Sequence, residues 1–441
     1  MSIKETTMAT VKEKAPPGHL RWGLAIIFFV IGLIAYMDRA NLSIVAEHMM
    51  TDLGLSKVQF GFLGALFSLG YALAQIPSGI LAERFGSRRV VTISLYIWSA
   101  FTILTVVAPT YIWLCIVRFL FGVGEAPLYP SNAVFNSWWF RQNEKARAAS
   151  FLLAGSYFGP VIAPTLTVFI MITLGWHAVF WIFGVVGIVI GALWYLVARN
   201  KPEDHPNISQ SEIAHIQEGR SFQESSVESV KAPWRIFMQD RAFWAIGIQY
   251  FFVGYMTTLF MIWLPTYLQE AQGFSLTHMG IAASFPWLAI CIAVLTAGTV
   301  SDWLLNKGYS QLVARGYVAI IGFILFIIGI CGAATTTSAI MSVAWLTLAL
   351  GSLGLPVVTS WAIAADKGKQ YAGSVSSWMN LWGNLGGVIS PILCGWLAQN
   401  FGWNVALLFN IVPVCLAIIC WFFIQPDKPL SDVNPSILNS H

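Results

Sequence analysis

The stretch that decides the fold is Arg118-Phe-Leu-Phe-Gly-Val-Gly-Glu125-Ala-Pro127. It lies within an apolar segment, residues 112–138, that is long enough to cross a lipid bilayer. A charged side chain at that depth costs about 2.5–3.5 kcal/mol on insertion scales, so we expect it to have a partner or a function. The arginine and the glutamate of this stretch are about two helical turns apart, which places them on one helical face with roughly 10 Å between them.

A second pair of charges, Asp38 and Arg39, lies near the end of the first apolar segment. Buried ion pairs contribute little net stability, so a purely structural purpose explains four such charges poorly. Arginine suits an anionic ligand, because its planar fork can bind both oxygens of a carboxylate. We predict that the four charges face a polar cavity around which the rest of the chain is built. The alternative is that Arg39 and Arg118 only neutralise the two acids.

The composition is that of a polytopic membrane protein. Of the 441 residues, 57% are hydrophobic and only 10% are charged, against about 25% charged in soluble domains, and the mean hydropathy is +0.70. A transmembrane β-barrel would show alternating segments of about ten residues, whereas these apolar runs are continuous and about twice as long. We predict an all-α membrane protein whose surroundings are the lipid bilayer.

Twelve apolar segments can be distinguished, each bounded by charges, glycine or proline. They span residues 22–46, 58–82, 89–108, 112–138, 147–171, 177–198, 242–268, 279–304, 312–332, 338–364, 371–397 and 402–424. The polar stretch after the sixth segment predicts two six-helix bundles, residues 1–198 and 242–441, joined by a cytoplasmic linker, residues 199–241. Within this linker, Ser209-Gln-Ser-Glu212 is a capping-box pattern and predicts a short surface helix.

The two halves repeat one another in sequence. Gly175-Trp176 recurs as Gly402-Trp403, 227 residues later (402 − 175), and Gly122 with Pro127 recurs as Gly351 with Pro356 at an offset of 229 (351 − 122). A duplicated six-helix unit is typical of transporters, in which the substrate site lies between the repeats near the middle of the membrane.

The distribution of lysine and arginine predicts the orientation. With the N-terminus in the cytoplasm, 21 of the 24 Lys and Arg residues fall on the inner side, Lys57 alone falls in an outer loop, and Arg39 and Arg118 lie within the membrane. This asymmetry agrees with the positive-inside rule and predicts that both termini are cytoplasmic. The first ~20 residues lack the apolar core of a signal peptide, so we expect the first apolar segment to be a membrane helix.

Several classes of function are disfavoured. The six cysteines show no CxxC spacing, the seven histidines show no HxxxH or HExxH pattern, and there is no GxxxxGK[ST] phosphate loop. We therefore expect no metal and no cofactor, and the lack of a nucleophile–base constellation argues against an enzyme. The basic residues lie in short loops, so we expect no nucleic-acid partner.

Gly79-Ile-Leu-Ala-Glu-Arg-Phe-Gly-Ser-Arg-Arg89 resembles the signature of the major facilitator superfamily between its second and third helices. A degenerate second copy, Gly298-Thr-Val-Ser-Asp302, follows the eighth segment. The resemblance implies the twelve-helix fold of that superfamily and a cytoplasmic gate. The gate residues would be Gly79, Glu83, Arg84, Arg88, Arg89 and Asp302, with the glycines permitting close helix approach.

Within that superfamily, Tyr36-Met-Asp-Arg-Ala-Asn41, the Arg118–Pro127 stretch and Trp378-Met-Asn-Leu-Trp-Gly-Asn384 resemble the anion:cation symporter family, which includes bacterial permeases for galactonate, glucarate and hexuronates. The resemblance implies that Asp38 and Glu125 carry protons and that Arg39 binds the substrate carboxylate. It further implies polar contacts from Tyr71, Arg118 and Asn380. Family members often carry a glutamine where Ser156-Tyr157 aligns here, which leaves open whether the rest of the substrate is a polyol or aromatic.

The charges lie in the N-terminal half, so we expect the C-terminal half to supply hydrogen bonds. Asn380 and Asn384 are four residues apart and share a helix face. They are predicted substrate contacts, as are Ser156 and Tyr157, and helix–helix hydrogen bonding is the alternative for the two asparagines.

The resulting prediction is a proton-coupled symporter, located in the bacterial cell inner membrane, that imports a small organic anion by alternating access. The expected anion is a sugar acid such as a hexonate, hexarate or hexuronate, and we expect one chain to function as a monomer. The alternatives are a symporter for aromatic or other carboxylates, an organophosphate antiporter or other anion exchanger, and a non-transporting anion sensor.

Overall fold

The computed structural model describes residues 18–107, 110–141, 144–219, 233–427 and 430. Within these ranges all regular structure is helical. The two termini and part of the predicted linker, residues 220–232, lie outside the described residues. Eleven helical stretches in the described ranges are long and apolar enough to span a membrane.

Eight helices form the first half of the chain. They are α1 (Leu20–Ile44), α2 (Ala46–Leu53), α3 (Lys57–Phe85), α4 (Ser87–Leu104), α5 (Tyr111–Glu125), α6 (Leu128–Trp139), α7 (Lys145–Leu174) and α8 (Trp176–Val197). The linker contains a 3-10 turn, Pro202–Asp204, and the helices α9 (Gln210–Gly219) and α10 (Trp234–Phe237).

The second half contains the remaining helices. They are α11 (Arg241–Glu270), α12 (Leu276–Ala282), α13 (Ser284–Asn306), a π-helical turn (Leu312–Tyr317), α14 (Val318–Thr335), α15 (Ala339–Ser352), α16 (Gly354–Gly368), a 3-10 turn (Lys369–Tyr371), α17 (Ala372–Phe401), α18 (Trp403–Leu408) and α19 (Ile411–Ile424).

Each of the twelve predicted apolar segments coincides with helix, and the all-α membrane fold is confirmed. The third segment, predicted at 89–108, is the helix α4 and is not among the eleven apolar spans. It is only 18 residues long and begins with Ser87-Arg88-Arg89, so its average hydropathy is low. Some spans consist of two consecutive helices, as α5 and α6 do in Tyr111–Trp139.

The internal repeat is visible in the backbone. Gly175 and Gly402 have φ angles of 83° and 85° and stand at equivalent positions, immediately before α8 and α18. Helix breaks also correspond, since α5 ends before Pro127 and α15 ends before Pro356. Proline lacks a backbone N–H and its ring crowds the preceding turn, so it interrupts a helix near that point. The first of these breaks places Glu125 at the end of α5.

The two halves contact each other closely at one end of the bundle, which we call the Lys57 end. A Cβ atom added to Gly61 on α3 would collide with the backbone of Pro391 on α17, and one added to Gly395 would crowd the backbone of Lys57. Lys57 also forms an ion pair with Glu270 of α11, with 2.9 Å between Nζ and Oε2. This end of the interface is therefore closed.

The halves are less closely joined at the opposite end, which we call the Glu83 end. Between described residues, no hydrogen bond or ion pair crosses from one half to the other there. The buried core of the first half near this end, which includes Leu24, Trp139 and Trp194, is separate from the core that spans both halves. A Cβ atom added to Gly79 would meet nothing within 4 Å. The two halves are thus in close contact at the Lys57 end and lack polar contacts with each other at the Glu83 end.

Candidate functional site

A cavity of about 130 Å³ lies between the two halves near the middle of the bundle. Helices α1, α3 and α5 form one wall, and α11 and α17 form the other. Its lining includes Tyr36, Arg39, Phe67, Ser68, Arg118 and Phe121 from the first half and Thr257, Thr258, Met261, Ile262 and Asn384 from the second. The cavity is therefore cationic on one side and carries hydroxyl and amide groups on the other.

Arg39 forms an ion pair with Glu125 at this cavity. Its Nε donates a hydrogen bond to Glu125 Oε1 at 2.7 Å, and Nη2 lies 2.5 Å from the same oxygen. The Glu125 side chain is 1% exposed, whereas that of Arg39 is 16% exposed. Glu125 Oε2 has no hydrogen-bond partner among the described residues. The guanidinium group thus faces the cavity while its counter-ion lies behind it.

Three aromatic rings surround the Arg39 guanidinium group. The centroids of Tyr36, Phe67 and Tyr71 lie 4.4, 4.9 and 4.9 Å from its Cζ atom. Such cation–π contacts stabilise a desolvated guanidinium and leave its N–H edge available. The aromatic rings therefore fix the position of Arg39 without neutralising its charge.

Asp38 and Arg118 are the other two charges of the site, and among the described residues no ion pair within 4 Å joins them. Asp38 is 2% exposed, and neither of its carboxylate oxygens has a hydrogen-bond partner within the described ranges. The charges of Glu125 and Arg118 act on Asp38. Arg118, also 2% exposed, donates from Nη2 to Thr105 Oγ1 at 2.9 Å. The structure brings the four predicted charges together, with the two arginines on the cavity wall and the two acids buried beside them.

Ser156 and Tyr157 lie on α7 and are not part of the cavity lining. Ser156 Oγ accepts a hydrogen bond from Tyr129 at 2.8 Å and donates one to the carbonyl oxygen of Leu152 at 2.9 Å. Its hydroxyl is thus engaged within the first half. Tyr71 is buried against Arg39, likewise behind the lining.

Of the two predicted asparagines, only Asn384 lines the cavity. Its Nδ2 donates to the backbone carbonyl of Asn380 one turn earlier at 2.9 Å. Asn380 is half-buried on the same helix, α17.

The predicted gate residues lie at the Glu83 end. Glu83, Arg84 and Arg89 are exposed and form no ion pair between described residues. Arg88 donates to the carbonyl oxygen of Tyr195, and Asp302 pairs with Arg315 at 3.1 Å. Both contacts stay within one half, so the gate stays a prediction.

Sequence reasoning did not select Phe67, Thr257, Thr258 or Tyr129 as site residues. The adjacent threonines interrupt the apolar run of α11, and that polar break was an available signal. Phe67 and Tyr129 carry no such signal, because aromatic residues are common throughout membrane helices.

The model of the Major Facilitator Superfamily matches residues 28–391 and 310–439. The chain belongs to this superfamily. Proteins of this superfamily are transporters, as are the relatives described next, so the prediction that the chain is not an enzyme is confirmed.

Among superfamily members, the chain is 31% identical over 435 residues to a probable galactarate/D-glucarate transporter of Bacillus subtilis. The alignment covers 94% of each protein. It is 30% identical over 438 residues to a protein of the same description from Escherichia coli K12, covering 95% of this chain and 97% of the relative. It is 29% identical to a D-galactonate transporter of Escherichia coli O6:H1, and the alignment covers 94% of this chain and 97% of the relative.

Solved structures of the superfamily show the same fold. A bacterial homologue of the human lysosomal transporter Spinster superposes with a TM-score of 0.78 at 18% identity, covering 92% of this chain and 98% of that one. A D-xylose–proton symporter superposes with a TM-score of 0.70 at 14% identity, and the superposition covers 93% of this chain and 98% of the symporter.

Proposed function

We propose that this protein is a proton-coupled symporter that imports a sugar acid across the bacterial inner membrane. The observation that carries the proposal is the Arg39–Glu125 ion pair on the wall of a cavity between the two halves. The similarity to relatives described as transporters of galactarate, D-glucarate and D-galactonate supports a sugar acid as the substrate.

In the proposed coupling, the carboxylate of Glu125 and the carboxylate of the substrate compete for the guanidinium group of Arg39. With Glu125 ionised, its Oε1 accepts a hydrogen bond from Arg39 Nε at 2.7 Å and lies 2.5 Å from Nη2, so the carboxylate holds this edge of the guanidinium group. Protonation of Glu125 removes the negative charge, and Arg39 can then bind the substrate carboxylate through its planar fork. Loss of that proton restores the ion pair and expels the substrate.

Asp38 and Arg118 form a second unit in this proposal. Asp38 is the second proton carrier, and Arg118 is its counter-charge and a polar contact at the cavity. Two buried acids and two arginines balance each other, so each proton taken up leaves one positive charge for an anion. Such a balance suits the co-transport of protons with an anion.

The second half supplies the contacts for the rest of the substrate. Thr257, Thr258 and Asn384 present hydroxyl and amide groups to the cavity, opposite Arg39. Groups of this kind hydrogen-bond the hydroxyls of a polyol chain. This lining favours a sugar acid over an aromatic carboxylate. Tyr71, Ser156, Tyr157 and Asn380 remain proposed as contacts that surround this site in other states of the cycle.

Alternating access requires the Lys57 end to open and the Glu83 end to close in another state of the cycle. We propose that residues 1–198 and 242–441 rock against each other about the cavity, with 199–241 as a cytoplasmic linker. In this proposal the Glu83 end and both termini lie in the cytoplasm, which the asymmetry of lysine and arginine supports. The structure then corresponds to an inward-facing form, and the gate at the Glu83 end latches in the outward-facing form.

The decisive experiment is uptake of labelled glucarate, galactarate, galactonate and benzoate into proteoliposomes, with and without an inward proton gradient. We expect gradient-dependent accumulation of at least one sugar acid and none of benzoate. Glu125→Gln should bind or exchange the substrate but lose the response to the gradient. The matched control Glu47→Gln removes a carboxylate that does not line the cavity and should behave as the wild type.

Three outcomes would contradict the proposal. Accumulation against its gradient by Glu125→Gln would exclude the coupling scheme. Equilibration of sugar acids without any effect of protons would indicate a facilitator or exchanger. Binding without flux would indicate a sensor.

A further inference from the structure

A second cavity, unrelated to the site between the halves, lies on the first half. It has a volume of about 430 Å³ and is lined by residues of α3, α4 and α5 and by Pro127. The lining is Ala74, Pro77, Ser78, Leu81, Phe85, Arg89, Val90, Ile93, Ser94, Ile97, Val123, Gly124 and Pro127. We call it the lateral groove. No residue of the second half contributes to it.

The lateral groove faces away from the other half. Residues of α3 that contact the second half include Lys57, Phe60, Gly61, Gly64 and Ser68, and none of them lines the groove. Several lining side chains are strongly exposed in the structure, including Ile93 at 56% and Phe85 at 46%. The neighbouring stretches Lys57–Phe85 and Tyr111–Trp139 are long and apolar enough to span a membrane. We infer that the exposed apolar side chains of the groove meet lipid.

One cation lies at the mouth of the lateral groove. Arg89 is exposed, at the start of α4, and has no hydrogen-bond or ion-pair partner among the described residues. The neighbouring Arg88, in contrast, is held by the carbonyl oxygen of Tyr195 at 2.9 Å. The groove therefore combines an unpaired guanidinium at the membrane surface with a long apolar interior.

We propose that the lateral groove is a binding site for an anionic phospholipid. One acyl chain lies between α3 and α4, and Arg89 binds the phosphate of the headgroup. Guanidinium binds phosphate through paired hydrogen bonds, and a polar group at the edge of an apolar channel is the arrangement that an amphipathic lipid requires. From Arg89 to Ile97 the groove follows α4 for about 12 Å, the length of eight residues of helix.

The inner end of the groove reaches the segment that holds Glu125. Val123, Gly124 and Pro127 line it, and the Ser94 hydroxyl donates to the carbonyl oxygen of Gly124. An acyl chain in the groove would therefore contact the back of the α5–α6 break. Lipid at this position supports the backbone that positions the Glu125 carboxylate.

The test is native mass spectrometry of the full-length protein with phosphatidylglycerol and with phosphatidylcholine. We expect the wild type to retain one phosphatidylglycerol more strongly than phosphatidylcholine. Ile93→Trp fills the groove and should weaken lipid retention about tenfold, which corresponds to about 1.4 kcal/mol. Arg89→Gln should remove the preference for phosphatidylglycerol but leave acyl-chain binding.

Two matched controls separate this site from general lipid contact. Val189→Trp places the same ring on an exposed position of α8, and Arg241→Gln removes an exposed cation from the second half. Both should bind lipid as the wild type does. If Ile93→Trp retains phosphatidylglycerol as strongly as Val189→Trp, the groove is not the binding site. If Arg89→Gln keeps the headgroup preference, the assignment of the phosphate to Arg89 is wrong.

Discussion

At the scale of single residues, Arg39 is distinguished from the other cation of the cavity by its neighbours. Its guanidinium lies among three aromatic rings and contacts one carboxylate oxygen through two nitrogens. Arg118 is more deeply buried and donates to a threonine hydroxyl. The more exposed arginine is therefore the better placed to exchange its protein partner for a ligand.

Arg39→Lys should abolish most substrate binding although the charge is kept. Lysine offers a point charge and cannot provide two parallel donors, and it stacks less well on aromatic rings. We expect the apparent dissociation constant for the sugar acid to rise at least about tenfold, measured by binding to the purified protein. Arg241→Lys is the matched control and should leave binding unchanged. Wild-type affinity in Arg39→Lys would show that the fork geometry is not used.

At the scale of helices, glycine at contact positions lets the helices approach closely. A Cβ atom on Gly155 of α7 would collide with the carbonyl oxygen of Phe29 on α1, and one on Gly122 of α5 would collide with that of Phe67 on α3. Small residues allow such approach in membranes, where packing and not water exclusion drives helix association. These contacts pack α1 against α7 and α5 against α3, and α1 and α5 are the helices that carry Arg39 and Glu125.

The linker helix α9 is attached to the first half by a cluster of charges. Glu212 of α9 is 1% exposed and accepts a hydrogen bond from Arg21 Nη1 at 2.9 Å. Arg21 Nη2 also pairs with Glu144 at 3.1 Å, and His215 of α9 lies 3.6 Å from that same carboxylate. The start of α1, the start of α7 and the linker helix are thus joined at one point.

This cluster predicts an acid-sensitive linker. Partial burial raises the pKa of Glu144, but hydrogen bonds and the charge of Arg21 outweigh burial and hold this pKa below its ordinary value. A carboxyl group whose pKa is lowered by folding stabilises the folded state at a pH above its ordinary pKa. That stabilisation is lost as the pH falls through the folded-state pKa. The protection factors of the α9 amides, which correct for the slower intrinsic exchange of amides in acid, should therefore fall as the pH falls below about 4.5.

Glu144→Gln provides the control for this pH dependence. It should exchange faster than the wild type at neutral pH, because an amide pairs less strongly with Arg21. It should also lose less protection on acidification. An equal loss in both proteins would show that Glu144 does not hold the linker.

At the scale of the whole molecule, the Lys57 end is held closed by contacts between the halves. The Lys57–Glu270 pair is about a quarter exposed on each side, and Glu270 also accepts a hydrogen bond from Trp403 at 2.9 Å. Exposed pairs contribute about 0.2–1 kcal/mol, which suffices to shift the populations of two conformations a few-fold.

Glu270→Gln should therefore shift the protein toward a form that is open at the Lys57 end. The shift can be measured from distances between spin labels placed on the two halves at that end. Glu47→Gln, at the same end but outside any ion pair of the described residues, should leave the distances unchanged. An unchanged distance distribution in Glu270→Gln would show that apolar packing alone closes this end.

Gly79→Leu tests closure at the opposite end. The space around Gly79 is open in this structure, so we expect the variant to fold with wild-type thermal stability. Close approach of the halves at the Glu83 end would be blocked, and uptake should fall at least about tenfold. Gly23→Leu, a position with equally open space, should transport normally. Normal uptake by Gly79→Leu would exclude close helix approach at this glycine.

The sequence by itself determined the membrane fold, the number of apolar segments and the four charges at the site. Charge inside an apolar run is costly enough to mark function without any structure, and the periodic recurrence of glycine and proline marks the repeat. Helix α4 was found from the same pattern, although its arginines lower its average hydropathy.

Only the tertiary structure decided which residues share the cavity. Thr257 and Thr258 lie far from Arg39 in sequence, and they line the same cavity because of how the two halves pack. Phe67 reaches Arg39 through packing within the first half. Likewise, Ser156 points to Tyr129 and not into the cavity, because the α1–α7 contact fixes the rotation of α7. Helical periodicity predicts which residues share one face of a helix, but it does not predict which other helix packs against that face. The partners across an interface are therefore set by the tertiary packing.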